Sequence, residues 1–140
     1  TTWKVSGHTT DIVTPKAMFT AEITNATKTY GSENGTSKIG LMYVSDYGFA
    51  AAPSAWTTPF YKYNSSAIKS VNWMYMGLDE WTITPNSLNS SSVFTFNSSG
   101  NLAYASVGNG YVVRPVLYLK ASIAYAGGSG TKDSPITLEV

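Results

Sequence analysis

Val112-Val113-Arg114-Pro115-Val116-Leu117-Tyr118-Leu119 closes a run that opens at Trp81-Thr82-Ile83-Thr84-Pro85 and holds no Asp, Glu, Lys, Arg or His before Arg114. The closing segment alternates from Val116 onward. It is read as a strand over 112–119 in the central part of an antiparallel sheet, with Leu117 and Leu119 on one face and Tyr118 on the other. Pro115 donates no ladder hydrogen bond and argues for an edge or a bulge at that point. Between the two apolar anchors, residues 86–111 are mostly Asn, Ser, Gly and Tyr. Such side chains offer hydrogen bonds and flat aromatic contact without one charge partner, as recognition loops do. Asn86, Asn89, Ser91, Asn101, Tyr104, Asn109 and Tyr111 are therefore the candidate ligand-binding residues, expected to be exposed and to cluster on one side. The alternative is a pair of solvated strands with polar loops.

Working outward, Val93-Phe94-Thr95-Phe96 alternates as a strand, and Leu102–Val107 is its hairpin partner across an Asn97–Asn101 turn containing Gly100. Asn109-Gly110 is a further turn signal. Trp81–Thr84 and Asn72–Met76 are read as short strands around a Gly77–Glu80 turn. Lys38–Val44 is apolar enough for a buried strand, and residues 53–71 are loop-like with a run of aromatics. Ser45 and Asp46 are positioned to cap a helix over Asp46–Ala52 that Pro53 stops. Nearer the start, Trp3–Val5 is a strand followed by a Gly7-His8 turn. Thr14-Pro15 opens a helix as N-cap and first residue. Met18, Phe19 and Ile23 carry its core face, with Glu22 and Ala26 at the same helical spacing, and Tyr30-Gly31 ends it. Ser32–Ser37 is a polar loop. Gly127–Gly130 turns into a last strand over Ile136–Val140. Short strands with two modest helices make an α+β domain, read as one unit over residues 1–140.

Charged residues are 12% of the chain, about half the usual share, and the net charge is +1, which argues against nucleic acid as a partner. No apolar stretch is long enough to span a bilayer, so no direct membrane contact is expected. The chain starts at Thr1 and is expected to be a piece of a longer exported protein. The absence of cysteine rules out disulfides, thiolate metal sites and thiol catalysis. Low Lys and Glu with abundant Asn, Ser, Thr and Tyr suit an extracellular or cell-surface protein of bacterial or phage origin. Asn-x-Ser/Thr triplets at Asn25, Asn34, Asn64, Asn89 and Asn97 are formal glycosylation acceptors that chance explains equally well.

Three segments resemble the C-type-lectin-like fold, in the bacterial branch shared with the formylglycine-generating-enzyme family. Leu41-Met42-Tyr43-Val44-Ser45-Asp46-Tyr47-Gly48-Phe49-Ala50-Ala51 resembles that branch's Leu-Pro-Thr segment leading into a helix. Asn72-Trp73 through Trp81-Thr82-Ile83-Thr84 resembles its tryptophan-rich strand, and Gly110-Tyr111-Val112-Val113-Arg114-Pro115-Val116 its closing strand. The match covers roughly residues 38–120. Residues 38–140 also resemble repeated sequences in surface proteins of gut Firmicutes, some with pilin-like N-termini. The Asn, Ser and Tyr placement before Val113-Arg114-Pro115-Val116 is similar to that of the variable proteins of diversity-generating retroelements. The resemblance implies a C-type-lectin-like domain with two short helices and twisted antiparallel sheets. It also implies a non-enzymatic ligand-binding or adhesive role toward a protein or glycan, with self-assembly as a pilus or filament subunit the alternative.

Departures from the family remove chemistry. The enzyme branch uses cysteines, and related iron oxidases use several histidines where this chain has only His8. Thr84-Pro85-Asn86 stands where calcium-dependent sugar-binding lectins carry an acid before Pro, and no Trp-Asn-Asp follows, so calcium-dependent sugar binding is not expected. No cofactor, metal or catalytic residue is assigned. Arg114 reads better as a structural guanidinium pairing with a carboxylate than as a ligand contact. Trp73 and Trp81 read as core, Asp79-Glu80 as a turn acid pair, and Ser45-Asp46 as a cap. Asp11 is the only acid near His8. Trp56, Tyr61 and Tyr63 suit sugar stacking and loop packing equally. Without a stabilising metal, the melting temperature should be unchanged in excess chelator; a drop of many degrees in a thermal melt would refute this.

Overall fold

The computed structural model describes residues 2–5, 8, 14–24, 33–131 and 133–140. Gly7, Asp11, Asn25, Ala26 and the expected helix end at Tyr30-Gly31 lie outside the described residues. The architecture is α+β: short helices and small antiparallel sheets. Strand β1 (Thr2–Val5) pairs with β2 (Glu33–Thr36), so the segment read as a polar loop is a strand. That pairing gives one edge of β1 its ladder partners, and the Trp3 indole N–H donates to the Ser37 carbonyl at 3.2 Å.

Helix α1 (Pro15–Phe19) opens as its sequence dictates. The Thr14 side chain accepts from Ala17 N, and Pro15 occupies the first turn. A π turn, Thr20–Thr24, continues it. Met18 is fully buried and Ile23 partly so, whereas Phe19 is largely exposed and meets the Phe49 ring edge-on. Strand β3 is only Gly40–Leu41, because helix α2 (Val44–Phe49) already begins at Val44. Asp46 supports its first turn, accepting from Tyr43 N at 2.9 Å. The loop-like stretch 53–71 contains two 3₁₀ turns, Pro53–Ala55 and Phe60–Lys62, and helix α3 (Ser66–Lys69). Asn72–Met76 is a turn and not a strand. Asn72 Oδ1 accepts from Met74 N, and its Nδ2 donates to the Tyr47 carbonyl.

Strands β4 (Glu80–Pro85), β5 (Ser92–Phe96) and β6 (Leu102–Ser106) form a three-stranded meander. The β5–β6 hairpin turns at Gly100 with φ +89°, a conformation glycine adopts without a Cβ penalty. The expected 112–119 strand shrinks to β7 (Pro115–Val116), at the edge of a two-stranded pairing with β3. β3 offers only two residues, and Val112 instead makes a parallel bridge to Glu80. Beyond β7 the expected alternation of faces is not seen: Leu117, Tyr118 and Leu119 are all exposed, with the Tyr118 ring against Trp3. The chain ends in the hairpin β8 (Ala124–Gly127) and β9 (Thr137–Glu139).

The core gathers Met18, Met42, Val44, Tyr47, Phe60, Tyr63, Phe94 and Phe96 around α2. Tyr47 stacks on Phe96 with ring centroids 3.7 Å apart. The Tyr63 hydroxyl donates toward the carbonyls of Gly48 and Ala55, which lets a phenol lie in the interior. Trp73 and Trp81 are not the core tryptophans. Trp73 is 78% exposed, and Trp81 is partly buried on the outer face of the meander against Tyr111. Trp3 is buried instead, over Gly40, where a Cβ would lie 2.6 Å from the indole.

In urea denaturation, Gly40→Ala should cost about 1–3 kcal/mol by overpacking against Trp3. Phe96→Ala should cost about 3–5 kcal/mol. Trp81→Ala should cost less, about 1–2 kcal/mol, as a partly buried ring losing one aromatic partner. Equal losses for Phe96 and Trp81 would contradict this assignment of inside and outside.

Candidate functional site

Strand β4 is buried along its polar side. Glu80, Thr82 and Thr84 face inward, whereas Trp81 and Ile83 are only partly covered. Each inward side chain has a partner, although Glu80 Oε2 meets Arg114 as an ion pair without a hydrogen bond of its own. Thr82 Oγ1 donates to the Phe94 carbonyl at 2.7 Å, and Thr84 Oγ1 donates to Glu22 Oε1. The Glu80 carboxylate meets Arg114 Nη2 at 2.8 Å, and that nitrogen also donates to the Met74 carbonyl at 2.6 Å. Arg114 is thus a structural clamp between β4, the 72–76 turn and the closing segment. Asp79 Oδ1 accepts from Ser98 N at 2.7 Å, so the adjacent acids serve two separate anchoring roles.

Glu22 is 1% exposed. Its two carboxylate oxygens accept from Val44 N and Ser45 N, each at 3.1 Å, at the start of α2. Burial pushes its pKa up to about 7, against the opposing pull of these hydrogen bonds. The sequence reading did not single it out; the one signal was its helical spacing, four residues after buried Met18. Burial likewise raises Asp46 and Glu80, the latter opposed by the Arg114 charge, and lowers His8. His8 is held by backbone bonds to Pro85 and Ser87. Among the described residues, no three His, Asp or Glu side chains gather as a metal cluster.

The candidate binding residues are divided by the fold. Asn86 is 4% exposed, a correction to its expected exposure. Its Oδ1 accepts from Leu88 N, and its backbone bridges to His8 and Ser92. Asn101 sits at the hairpin turn, its Oδ1 accepting from Asn64 N at 3.1 Å. Five-residue strands place that turn roughly 16 Å from the opposite end of the meander. Tyr104 is exposed, but pairs with Phe94 and therefore lies on the opposite sheet face from Trp81, which pairs with Thr95.

The remaining four come together. Asn89 Oδ1 accepts from both Ser91 N and Ser91 Oγ. Val107 N donates to the Ser91 carbonyl at 2.9 Å, joining that turn to the loop after β6. There Asn109 Nδ2 donates to the Tyr111 hydroxyl at 3.3 Å, and the Tyr111 ring lies 4.9 Å from the Trp81 ring. Beside them is an apolar recess of about 140 Å³ lined by Leu41, Trp81, Thr82, Val93 and Val107.

A larger cleft of about 340 Å³ lies elsewhere, between α2 and the segment after β7. Trp3, Phe49, Trp73 and Tyr118 supply aromatic walls, and Asp46 is the one charged lining residue among the described residues. Sequence reasoning missed it because Trp73 reads as core and Asp46 as a cap. Of the aromatics left open between stacking and packing, Tyr63 is buried, Trp56 donates its indole N–H to the Ala51 carbonyl, and Tyr61 is exposed.

Comparison with protein families, with curated proteins and with solved structures returns no match for this chain.

The buried acids set the pH dependence. Between pH 4.5 and about 7 the folded chain holds a proton on Glu22 that the unfolded chain has released. This contribution is therefore full below pH 4.5 and lost as pH rises through 7, by at most about 3 kcal/mol. Asp46 and Glu80 act in the same direction. His8 opposes them, since its lowered pKa makes stability rise with pH up to its ordinary value of 6.5. Glu22→Gln should lower stability at pH 5 by about 1–3 kcal/mol, leaving one donor pair mismatched. The wild-type advantage over Glu22→Gln should shrink between pH 5 and 7.5 in urea titrations; an advantage constant with pH would refute the assignment.

Proposed function

We propose that this chain is a non-enzymatic binding domain of an exported surface protein, built on a C-type-lectin-like scaffold, that engages a protein or glycan through the end of its β4–β5–β6 meander. The observation that carries the reading is the joining of an apolar recess to a polar rim. Trp81, Val93 and Val107 line the recess; Tyr111, bonded to Asn109, packs on Trp81, and the Asn89–Ser91 turn is tied to Val107 through the Ser91 carbonyl. An apolar centre inside a hydrogen-bonding rim is the anatomy of a contact patch. The rim turns are held by their own hydrogen bonds, so little conformational freedom is lost on binding. Arg114 stabilises this arrangement from behind through Glu80. Asn86, Asn101 and Tyr104 drop out of the contact set.

A second reading, a subunit that assembles with copies of itself, draws on the C-terminal hairpin. β8 and β9 pair closely with each other and expose Tyr125 and Leu138, flanked by exposed Ile136 and Val140. A two-stranded hairpin with so little support is marginal in water alone. Concentration-dependent association in sedimentation, abolished by Leu138→Asp, would favour this reading.

The binding reading is tested by alanine scanning. Asn89, Ser91, Asn109 and Tyr111 replaced singly should each change stability by about 0.5 kcal/mol or less, except Tyr111, which loses its Trp81 contact. In a screen against protein and glycan arrays, Tyr111→Ala should reduce binding most, as an aromatic anchor. Retained binding after all four are replaced would overturn the reading.

A further inference from the structure

We propose that the cleft between α2 and the segment following β7 is a second binding site, for an alkylammonium group: a positively charged nitrogen carried on an apolar stem. It is separate from the contact patch of the meander and does not depend on that patch being functional.

The first observation is Trp73. A tryptophan 78% exposed is uncommon, since its large apolar surface normally seeks cover. Its backbone is held: Trp73 N donates to the Ala50 carbonyl at 3.3 Å, and the flanking Asn72 and Met74 are tied by the Asn72 side chain. An indole anchored at its backbone and open to solvent, at the lip of a cleft, is an available aromatic platform. Trp3 and Tyr118 continue the aromatic lining, with ring centroids 5.2 Å apart.

The second observation is the charge in the cleft. Among the described residues, Asp46 is the one ionisable acid or base of its walls apart from the Tyr118 phenol, and no Lys, Arg or His lines it. The salt bridge found joins Arg114 to Glu80, and Asp46 has no cationic partner among the described residues. Asp46 Oδ2 accepts from Tyr43 N, and that bond holds the carboxylate in place. Burial penalises its charge. A cation entering the cleft meets that carboxylate and the electron-rich ring faces together, the two elements that favour ammonium recognition.

The rest of the lining selects the stem. Phe49, Ala50, Val116 and Leu117 add no polar side chain, so a ligand with polar groups all around, such as a sugar, would leave most of them unpaired. A single charged head on a chain of methylenes matches one carboxylate at an apolar wall. A free amine and a lysine side chain share this chemistry.

The test uses the whole 140-residue chain and backbone amide NMR shifts around Asp46–Ala50 and Trp73. The probes are n-butylammonium, tetramethylammonium and N-acetyl-lysine methylamide, with 1-butanol and methyl glucoside as neutral comparisons. The ammonium probes should give saturable shifts at these residues, at least tenfold tighter than 1-butanol. Trp73→Ala, which removes an exposed ring and should leave the fold intact, should weaken binding at least tenfold. Asp46→Asn, whose amide oxygen can still accept from Tyr43 N, should do the same. Preference for N-acetyl-lysine methylamide over n-butylammonium would assign the source as a protein side chain, and the reverse as a small amine; both support the site. Equal affinity for 1-butanol, saturable binding of methyl glucoside alone, or ammonium binding unaffected by both substitutions would overturn it.

Discussion

The Glu22 carboxylate is the junction on which the other elements depend. It reaches from the turn after α1 to the first backbone N–H groups of α2 and to the hydroxyl of Thr84 on β4. Three elements far apart in sequence thereby share one buried acid. Without it, two amide donors at the start of α2 would be buried unpaired, a penalty of about 1–3 kcal/mol each. This junction explains why the chain enters a helix at Val44 rather than continuing β3. It also explains why β4 turns its threonines inward.

That inward turn governs the outer surface. Strand side chains alternate, so burying Glu80, Thr82 and Thr84 presents Trp81 and Ile83 to the other face. A pattern read by hydrophobicity alone would choose the opposite register. The polar row wins because every member has a partner: Arg114 for Glu80, the Phe94 carbonyl for Thr82, and Glu22 for Thr84. Trp81 of the apolar row then lines the recess with Leu41, Thr82, Val93 and Val107. Burial of polar groups and display of an aromatic surface are two consequences of one strand orientation.

The same economy shapes the cleft beside α2. Asp46 stabilises the first turn of its helix and also faces the open space bounded by Trp3, Trp73 and Tyr118. Trp3 is drawn inside by Gly40, whose missing side chain makes room for the indole. Trp73 is held outside by the Asn72 turn, which spends its amide on the Tyr47 and Met74 backbones. Trp73 thus stands outside the core in which its sequence placed it, and Trp3 lies within.

Local chemistry was enough to specify the Thr14-Pro15 helix start, the β5–β6 hairpin with glycine at its turn, the last strand, and the α+β class. Each rests on contacts between residues near one another in the chain. The structural role of Arg114 was also legible, because an arginine between valines and prolines needs a carboxylate. The pairing of β1 with β2, the brevity of β3 and β7, and the interior position of Glu22 were not legible, because they depend on partners tens of residues away. The seven candidate contact residues divided for the same reason. Composition marked them as polar and adaptable, but strand register sent Tyr104 to the other face, hairpin length carried Asn101 to the far end, and a bridge to His8 buried Asn86. Sequence determined which side chains can make a contact surface; tertiary structure decided which of them share one, because alternation and register are set by the hydrogen-bond partners of buried polar groups.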